Sequence, residues 1–331
     1  MSHIGLWFYR NEGGDEILAE LEARLAAFGH AVTSDFDMRQ CRVVDGEVLT
    51  ADGRNLSRLD MLYHMNADQQ SDHQREVLGA LEASGVHVIN GFDAFNRAQD
   101  KFVANCTLRR AGLSVPRSAL VPAAVSRRAL DELFALWGSV VVKRRRGHGG
   151  HGVQKFDAAE PLADFIGSVA DVYSNFYLEE FIPFHEHDTR VDLLDGVVVG
   201  GYSRRKNHRF KTNVHAGAEM IPLPPTEEAI ALAKRAARAL GIDCTIVDMV
   251  VHAETGRLYV IEVNPFLGVF TGVGLKKGVN TIQTMDDIHP VFAYDDRKLE
   301  MLTNFIHLRA AGPVTAPRGN RNWDRPSCEK F

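Results

Sequence analysis

One stretch near the middle of the chain joins a lysine at the end of an apolar strand to a glycine-rich turn and then to a second strand. It reads VVVKRRRGHGGHGVQKF and covers residues 140–156. The spacing of Gly147, Gly149 and Gly152 matches the dinucleotide-binding fingerprint, but that fingerprint must open a helix. The residues that follow the last glycine, Val-Gln-Lys-Phe, have the pattern of a strand. The stretch therefore predicts a β-hairpin and excludes a Rossmann fold.

This hairpin can hold the phosphate tail of a nucleotide. Glycines lack the Cβ that would block close approach of the backbone, and their amides can point toward phosphate oxygens. Lys143 adds a positive charge beside them. A protein-kinase arrangement is excluded, because in kinases the glycine loop precedes the strand that carries the lysine, whereas here the lysine comes first.

Size and charge limit the class of protein. The 331 residues are too many for one small core, so we expect two or three lobes around a shared cleft. The formal net charge of −5 argues against a protein that coats nucleic acid. The four cysteines lie far apart, and no apolar run reaches the length of a membrane span. We expect a cytoplasmic protein with reduced thiols and with neither a nucleic-acid nor a membrane partner.

The order of strand and helix patterns divides the chain into four parts. Residues 1–95 alternate strands with helices and predict a small α/β domain. Residues 96–174 hold a helix over 96–112 and then the glycine-rich hairpin, whereas strands dominate residues 175–310. Residues 311–331 are rich in Pro, Gly and Arg and read as a poorly ordered tail or an arm. The predicted fold class is α/β, with α+β character in the second and third parts.

A cluster of oxygen ligands is predicted near the end of the third part. Asp248 lies on one strand of a predicted hairpin, and Glu262 and Asn264 lie two residues apart on the other, so the last two face the same side. Apolar neighbours flank both carboxylates, and a carboxylate buried in a sheet without a partner costs several kcal/mol. Carboxylate and amide oxygens without sulfur or imidazole suit Mg²⁺ bridging phosphates. The alternative is that these side chains simply face solvent.

A basic loop lies between two predicted strands. Arg204, Arg205, Lys206, Arg209 and Lys211 are close together in sequence there. Such a run is often a solvated loop or a nucleic-acid patch, but the acidic overall balance favours binding of substrate or phosphate. Arginine forks pair well with phosphate and carboxylate oxygens.

In this order, the clusters resemble the ATP-grasp superfamily, and within it the RimK-like carboxylate–amine ligases, which include glutamate ligases and are related to bacterial glutathione synthetases. The resemblance covers about residues 4–310. The matching segments are RAQDKFVANCTLRRAGLSVP, VVVKRRRGHGGHGV, YLEEFIP, DTRVDLLDG, RFKTNVHAGA, GIDCTIVDMV and LYVIEVNPF. The resemblance implies a three-lobed ATP-grasp fold, in which an N-terminal α/β domain precedes two α+β lobes that hold ATP between them.

The resemblance also implies roles for individual residues. The implied nucleotide-binding residues are Lys101, Lys143, Gly149, Gly150, Glu180, Phe181, Asp188, Lys211 and Asn213. Glu180 and Phe181 would frame adenine, and Asp188 would lie near the ribose. Arg204 and Lys143 would act on the transferring phosphoryl group. Asp248, Glu262 and Asn264 would hold one or two Mg²⁺ ions, with Mn²⁺ as an alternative.

The implied activity is ATP-dependent amide or peptide bond formation through an acylphosphate, with release of ADP and phosphate. The substrates would be a small carboxylate and an amine, each an amino acid, a peptide or a specialised metabolite, and a homo-oligomer is allowed. Many relatives read EVNSSPG and NLHRGG where this chain has EVNPFLG and NVHAGA, so the resemblance does not fix glutamate as a substrate. Two alternatives stay open: a phosphotransferase acting on a hydroxyl of a small molecule, and a nucleic-acid-binding module that uses the basic clusters.

Overall fold

A computed structural model of the chain describes residues 1–8, 14–65, 72–147, 150, 152–206, 212, 218–221, 223–267 and 296–312. Within these ranges the strands form sheets of four, four, five and two strands, with helices packed on them. This mixed α/β architecture confirms the predicted fold class. The predicted tail falls almost entirely outside the described residues.

The N-terminal region contains a parallel sheet. Its elements are β1 (His3–Phe8), α1 (Gly14–Ala27), β2 (Ala31–Thr33), β3 (Arg42–Val44), β4 (Glu47–Leu49), β5 (Met61–Met65), α2 (Asp72–Ala83) and β6 (His87–Ile89). The sheet runs in the order β2-β1-β5-β6, and β3 pairs with β4 as a separate hairpin. Parallel neighbours need a crossover, which α1 supplies between β1 and β2 and α2 between β5 and β6.

The predicted helix over 96–112 is two helices in the structure, α3 (Phe92–Gln99) and α4 (Lys101–Arg110). Asp100 separates them, because its side chain accepts hydrogen bonds from the backbone N–H groups of Phe102 and Val103 and so caps a new helix. Lys101 therefore occupies the first position of α4. The single-helix prediction was wrong because the helical spacing of apolar residues continues across the cap.

The second sheet is antiparallel and contains the glycine-rich hairpin. Its elements are β7 (Ser118–Pro122), α5 (Arg127–Trp137), β8 (Val140–Lys143), β9 (Gln154–Phe156), α6 (Ala159–Val169) and β10 (Asn175–Glu180). The order is β7-β10-β8-β9, and Val140 pairs with Phe156 across the predicted hairpin, which is confirmed. Because β10 pairs with both β7 and β8, this strand belongs to the second sheet, although the sequence places it at the start of the third part.

The third sheet has one apolar and one polar face. Its elements are β11 (His187–Leu194), β12 (Val197–Arg205), β13 (Glu219–Ile221), α7 (Glu227–Leu240), β14 (Cys244–Val251), β15 (Leu258–Asn264) and, further along the chain, α8 (Asp296–Ala311). The order is β13-β12-β11-β14-β15. Val191, Val247 and Val260 pack with α7 in one core cluster. Residues one position away on each strand therefore face the opposite side.

Contacts between the first and third sheets fix their relative position. The Asn90 side chain accepts hydrogen bonds from the N–H groups of Asp243 and Cys244 and donates to the carbonyl oxygens of Cys244 and Pro265. These bonds satisfy the whole buried amide and hold the start of β14 beside the end of β15. Helix α8 also packs against α1 through Leu302 in a shared core.

Candidate active site

A cleft lies where residues of the second sheet, the third sheet and α4 meet. It encloses about 930 Å³ including its open mouth. Its apolar lining includes Pro116, Val141, Val153, Ile182, Met249 and Ile261. Its charged lining comprises Lys101, Lys143, Arg144, Glu179, Glu180, Asp188, Arg204, Asp248 and Glu262. The structure therefore brings both predicted lysines and both predicted metal-binding carboxylates into one cavity.

Lys143 is held by a carboxylate that the sequence analysis did not select. Its ammonium group is ion-paired with Glu179, which also accepts a hydrogen bond from the Tyr177 hydroxyl at 2.5 Å. Tyr177 lies opposite Lys143 in the sheet, so the three side chains share one face. Burial, together with the charge of Glu179, raises the pKa of Tyr177 and keeps its hydroxyl protonated. Alternation along β10 puts Glu179 and Glu180 on opposite faces, but only the pairing of β10 with β8 shows that Glu179 meets Lys143.

Glu180 and Phe181 also line the cleft, but their backbone N–H groups are used within the protein. The N–H of Glu180 donates to the carbonyl oxygen of Arg117 at 2.9 Å, and that of Phe181 donates to Ser139 at 3.0 Å. The Glu180 carboxylate is ion-paired with the Arg117 side chain. These bonds fix the link between the second and third sheets at residues 180–182, which we call the hinge. Neither of the two N–H groups is free to meet adenine.

The glycine-rich turn approaches Lys101. The ammonium group of Lys101 donates to the carbonyl oxygen of Gly147 at 2.6 Å. The backbone N–H of Lys101 donates to the carbonyl oxygen of Arg145. Gly147 and Gly150 have φ of 129° and 71°, values that L-residues with a Cβ rarely adopt. Gly150 lines the cleft, whereas the predicted site residues Gly149, Lys211 and Asn213 lie outside the described residues.

Lys101 also reaches the third sheet. Its ammonium nitrogen lies 2.8 Å from Oε1 of Glu262, so an ion pair joins α4 to β15 at the edge of the cleft. Both side chains are partly accessible, at 13% and 24% of their full exposure. A phosphate group entering the cleft could replace Glu262 as the partner of Lys101, and a cation could replace Lys101 as the partner of Glu262.

The polar face of the third sheet carries a buried network of arginine and aspartate. Arg190 donates to both oxygens of Asp248, at 2.9 and 3.0 Å. Arg204 pairs with Asp188 through two hydrogen bonds and lies 3.2 Å from Asp248. Thr212 donates to Asp188 at 2.5 Å. Strand register explains the cluster, because Asp188 lies opposite Arg204 and Arg190 lies opposite Asp248.

Burial and charge act against each other in this network. Burial tends to raise the pKa of Asp248, but the adjoining guanidinium groups of Arg190 and Arg204 outweigh it and lower the pKa. Burial also raises the pKa of Asp188, and Arg204 offsets this only in part. Asp248 is therefore held as a carboxylate in a site that is only 5% exposed. Arg190 was missed as a site residue, although it lies two positions from Asp188 on one strand and so faces the same side.

The three predicted metal ligands lie along one edge of this face. Glu262 is directly opposite Asp248, and Asn264 is opposite Ile246, one alternation further along β15. Among the described residues, no group of three His, Cys, Asp or Glu side chains could hold a metal ion by itself. The oxygen-only donor set fits Mg²⁺, with the amide of Asn264 as the third donor. A metal here would share the Glu262 carboxylate with Lys101, which contacts Oε1, or would displace Lys101 from it.

Comparison with known proteins agrees with this geometry. The model of a family described as the RimK-like ATP-grasp domain matches residues 98–287, more than half of the chain. A probable alpha-L-glutamate ligase of Legionella pneumophila is 30% identical over 210 residues, which are 62% of this chain and 66% of that protein. The chain thus matches slightly less than two thirds of that relative's length.

Two solved structures share the fold. The crystal structure of D-cycloserine synthetase DcsG superposes with a TM-score of 0.64 at 17% identity, over 93% of this chain and 99% of that one. The structure of the ATP-grasp ligase PsnB with minimal precursor, Mg and ADP gives a TM-score of 0.56 at 21% identity, over 82% and 90% of the two chains. Across the described parts of the molecule, every helix is too short or too polar to span a bilayer.

Proposed function

Because this chain belongs to the RimK-like ATP-grasp family, we propose that it is an ATP-dependent, ADP-forming ligase that joins a carboxylate to an amine. One observation supports this most strongly: Lys101, Lys143, Asp248 and Glu262 line a single cleft between two lobes. Two ammonium groups and two carboxylates that meet in this way suit a metal-bound triphosphate.

The two lysines would bind the phosphates of ATP. Lys143 is paired with Glu179 and Lys101 with Glu262, so each ammonium group already lies inside the cleft with an anionic partner. Phosphate oxygens would replace or share those partners. The turn containing Gly149 and Gly150 would add backbone amides, and Lys211 and Asn213 stay proposed nucleotide contacts.

The apolar lining of the cleft would receive the adenine ring. Glu180 and Phe181 would border it as part of the hinge, whose geometry is fixed by the contacts with Arg117 and Ser139. Asp188 was expected near the ribose, but Arg204 and Thr212 already engage its carboxylate. We therefore propose that Asp188 chiefly orients Arg204.

The chemistry would proceed in two steps. A carboxylate oxygen of the first substrate forms a bond to the γ-phosphorus of ATP while the bond to ADP breaks, which gives an acylphosphate and ADP. The nitrogen of the amine then attacks the carbonyl carbon, phosphate leaves, and the amine proton passes to solvent or to the phosphate. Positioning and charge neutralisation suffice for this transfer, so no nucleophilic side chain is needed.

Arg204 and Lys143 would stabilise the charge of the transferring phosphoryl group. Arg204 is 3% exposed and is held by Asp188 and Asp248, so it offers a fixed positive charge at the wall of the cleft. Asp248, Glu262 and Asn264 would hold one or two Mg²⁺ ions, or Mn²⁺ instead, and the bound ion would neutralise phosphate charge. If Glu262 held the ion, Lys101 would be available to bind the phosphates.

Both substrates stay proposals of broad class: an amino acid, a peptide or a specialised metabolite. The relative from Legionella is named a glutamate ligase, yet this chain reads EVNPFLG where many such ligases read EVNSSPG. We also propose a cytoplasmic location, which the free thiols of Cys41, Cys106 and Cys244 support.

The test is a screen of amino acids and short peptides in pairs for phosphate release, with mass spectrometry of the condensed product. We expect ADP as the nucleotide product and, with hydroxylamine as the trapping amine, a hydroxamate of the first substrate. AMP with pyrophosphate would overturn the proposal. ADP formation that depends on an alcohol and gives no hydroxamate would favour the phosphotransferase alternative instead.

A further inference from the structure

A second cleft adjoins the hinge. It encloses about 1010 Å³ including its mouth and shares Glu180, Phe181 and Ile182 with the first cleft as a common wall. Its other walls come from the end of α4 and the loop after it, from α5 and from the hairpin that joins β14 to β15. The two cavities are thus separate spaces divided by the hinge.

Two arginines in the second cleft are held in place without an anionic partner. Arg109 donates to the carbonyl oxygen of Pro116 at 2.6 Å, and Arg257 donates from Nε to the Ser114 hydroxyl at 2.9 Å. The guanidinium group of Arg257 also lies 5.3 Å from the centre of the Tyr259 ring. Within the described ranges, no carboxylate forms an ion pair with Arg109 or Arg257.

Arg109 and Arg257 are both exposed to solvent, but their orientation is already restricted by the hydrogen bonds to Pro116 and Ser114. A surface arginine normally loses conformational freedom when it binds an anion, whereas these two are already oriented by neutral acceptors and by an aromatic ring. Each guanidinium group carries five N–H donors, of which the named bonds use one or two. The remaining donors can bind the oxygens of a carboxylate or a phosphate in a forked geometry.

Two further features favour a small organic anion over a single inorganic ion. Trp137 and Tyr259 place aromatic rings in the lining of a cleft that is otherwise mostly polar, and such rings can pack against a carbon skeleton. Arg117 lines the same cleft, but Glu180 already neutralises it, whereas Glu254, which also lines the cleft, forms no ion pair with Arg109 or Arg257 among the described residues. The arginines come from different parts of the chain, so an anion bound to both would bridge α4 and the hairpin.

We propose that the second cleft binds a small molecule carrying at least two carboxylate or phosphate groups, at a site distinct from that of ATP. Arg109 and Arg257 provide the charge, and the aromatic walls contact the carbon skeleton. The site is independent of the ligase chemistry, since none of these residues lines the first cleft.

The test measures thermal unfolding of the full chain with citrate and, separately, with inorganic phosphate, in the absence of ATP and metal. We expect citrate at millimolar concentration to raise the melting temperature by about 2 °C or more, since a ligand that binds only the folded state stabilises it. The rise should disappear in the double variant Arg109→Ala, Arg257→Ala and in the milder single variant Arg257→Gln. Phosphate alone should give a smaller rise, which separates a multivalent organic anion from a simple phosphate.

Two controls locate the bound anion. Arg128→Ala removes an arginine that is 89% exposed on α5 and should leave the citrate effect unchanged. Lys143→Met removes a charge from the first cleft and should also leave it unchanged. The proposal is overturned if citrate has no effect on the wild-type chain, if its effect persists in both Arg257 variants, or if it is lost in Lys143→Met. Because the readout is unfolding, its failure does not bear on the proposed ligase activity.

Discussion

The first cleft lies between two groups of positive charges that are held in different ways, although Arg190 itself does not line the cleft. On one side, Lys101 and Lys143 each reach a single carboxylate through a flexible side chain. On the other side, Arg190 and Arg204 are locked to Asp248 and Asp188 by forked hydrogen bonds. An ammonium group is a movable point charge, whereas a guanidinium fork fixes its partner's orientation.

The difference between lysine and arginine pairing separates two tasks, binding of phosphate and positioning of Asp248. Under the proposed function, the lysine wall exchanges its carboxylates for phosphate, because both lysines line the cleft and the buried Glu179 keeps the hydrogen bond from Tyr177 when Lys143 leaves. The arginine wall forms a frame that holds Asp248 ionised and in register with Glu262, and opening it would leave a buried charge without a partner. The four predictions that follow test this division.

The largest effect is expected at Glu262. Glu262→Ala should lower turnover by roughly 10³-fold, because it removes a proposed metal ligand where negative charge must be neutralised. Glu262 is partly exposed and is not part of the arginine network, so the free energy of unfolding should change little. Turnover is measured as phosphate release with a substrate pair from the screen, and unfolding by urea. Glu254→Ala, in the exposed turn of the same hairpin, is the matched control and should keep wild-type turnover.

If Glu262→Ala retains wild-type turnover, the metal assignment fails. If instead it unfolds, then Lys101 and Glu262 form part of the structural frame, and the proposed division between the two walls is wrong.

The next effect concerns stability and uses reciprocal substitutions. Arg190→Lys keeps the charge but removes the fork from Asp248, so it should reduce the free energy of unfolding by about 2–3 kcal/mol. Lys143→Arg, on the lysine wall, should cost less than about 1 kcal/mol, because Glu179 can accept from either group and the cleft has room for the larger one. Urea unfolding monitored by circular dichroism measures both. Equal losses of unfolding free energy in Arg190→Lys and Lys143→Arg would contradict the distinction between a fixed arginine wall and an exchangeable lysine wall.

A smaller effect is expected on nucleotide affinity. Lys101→Met should weaken ATP binding by about 10–30-fold, or roughly 1.4–2 kcal/mol, through loss of one charge-assisted contact to phosphate. Calorimetric titration with Mg²⁺ and ATP measures the change. Lys234→Met, at a half-buried lysine on α7 that does not line the cleft, provides a control of the same chemistry. Unchanged affinity in Lys101→Met would show that this lysine serves only to hold Glu262.

Alternation on strands made part of this site predictable. Asp248, Glu262 and Asn264 were selected because residues two apart on a strand share a face, and the structure has Asp248 directly opposite Glu262. The glycine-rich hairpin was predictable because its glycines need positive φ and a strand pattern follows them. In both cases the information is local, within one hairpin.

Other parts depend on long-range pairing that one sequence does not reveal. Glu179 and Glu180 are adjacent, and only the pairing of β10 with β8 shows that Glu179 is the partner of Lys143. Arg190 becomes a site residue only because β11 lies between β12 and β14. The cap at Asp100 was also missed, since apolar spacing alone does not distinguish a capped break from a continuous helix.

The smallest expected effect lies at an exposed pair on the second sheet. Asp157 accepts hydrogen bonds from Lys155 at 2.5 Å and from Ser139 at 2.6 Å, and Lys155, followed by Ser139, lowers the pKa of Asp157. Because the pKa is lower in the folded state, this stabilisation is present above the ordinary Asp value of about 3.9 and is lost as pH falls through the folded value. Asp157→Asn should therefore cost stability at pH 6, and that cost should shrink as the pH falls below the ordinary Asp value.

The size of the stability cost of Asp157→Asn, and its response to salt, distinguish this solvent-screened pair from the buried network of arginine and aspartate. The Asp157 side chain is 71% exposed, so the cost at pH 6 should stay below about 1 kcal/mol and should shrink further in roughly 0.5 M salt. The loss caused by Arg190→Lys should persist at that salt concentration, because ions do not reach a carboxylate that is 5% exposed. Parallel urea titrations of the two variants at low and high salt measure both responses. If salt weakened the two effects by the same fraction, the arginine network would be as accessible to solvent as the surface pair, and the contrast between the walls would reduce to the number of charges each one carries.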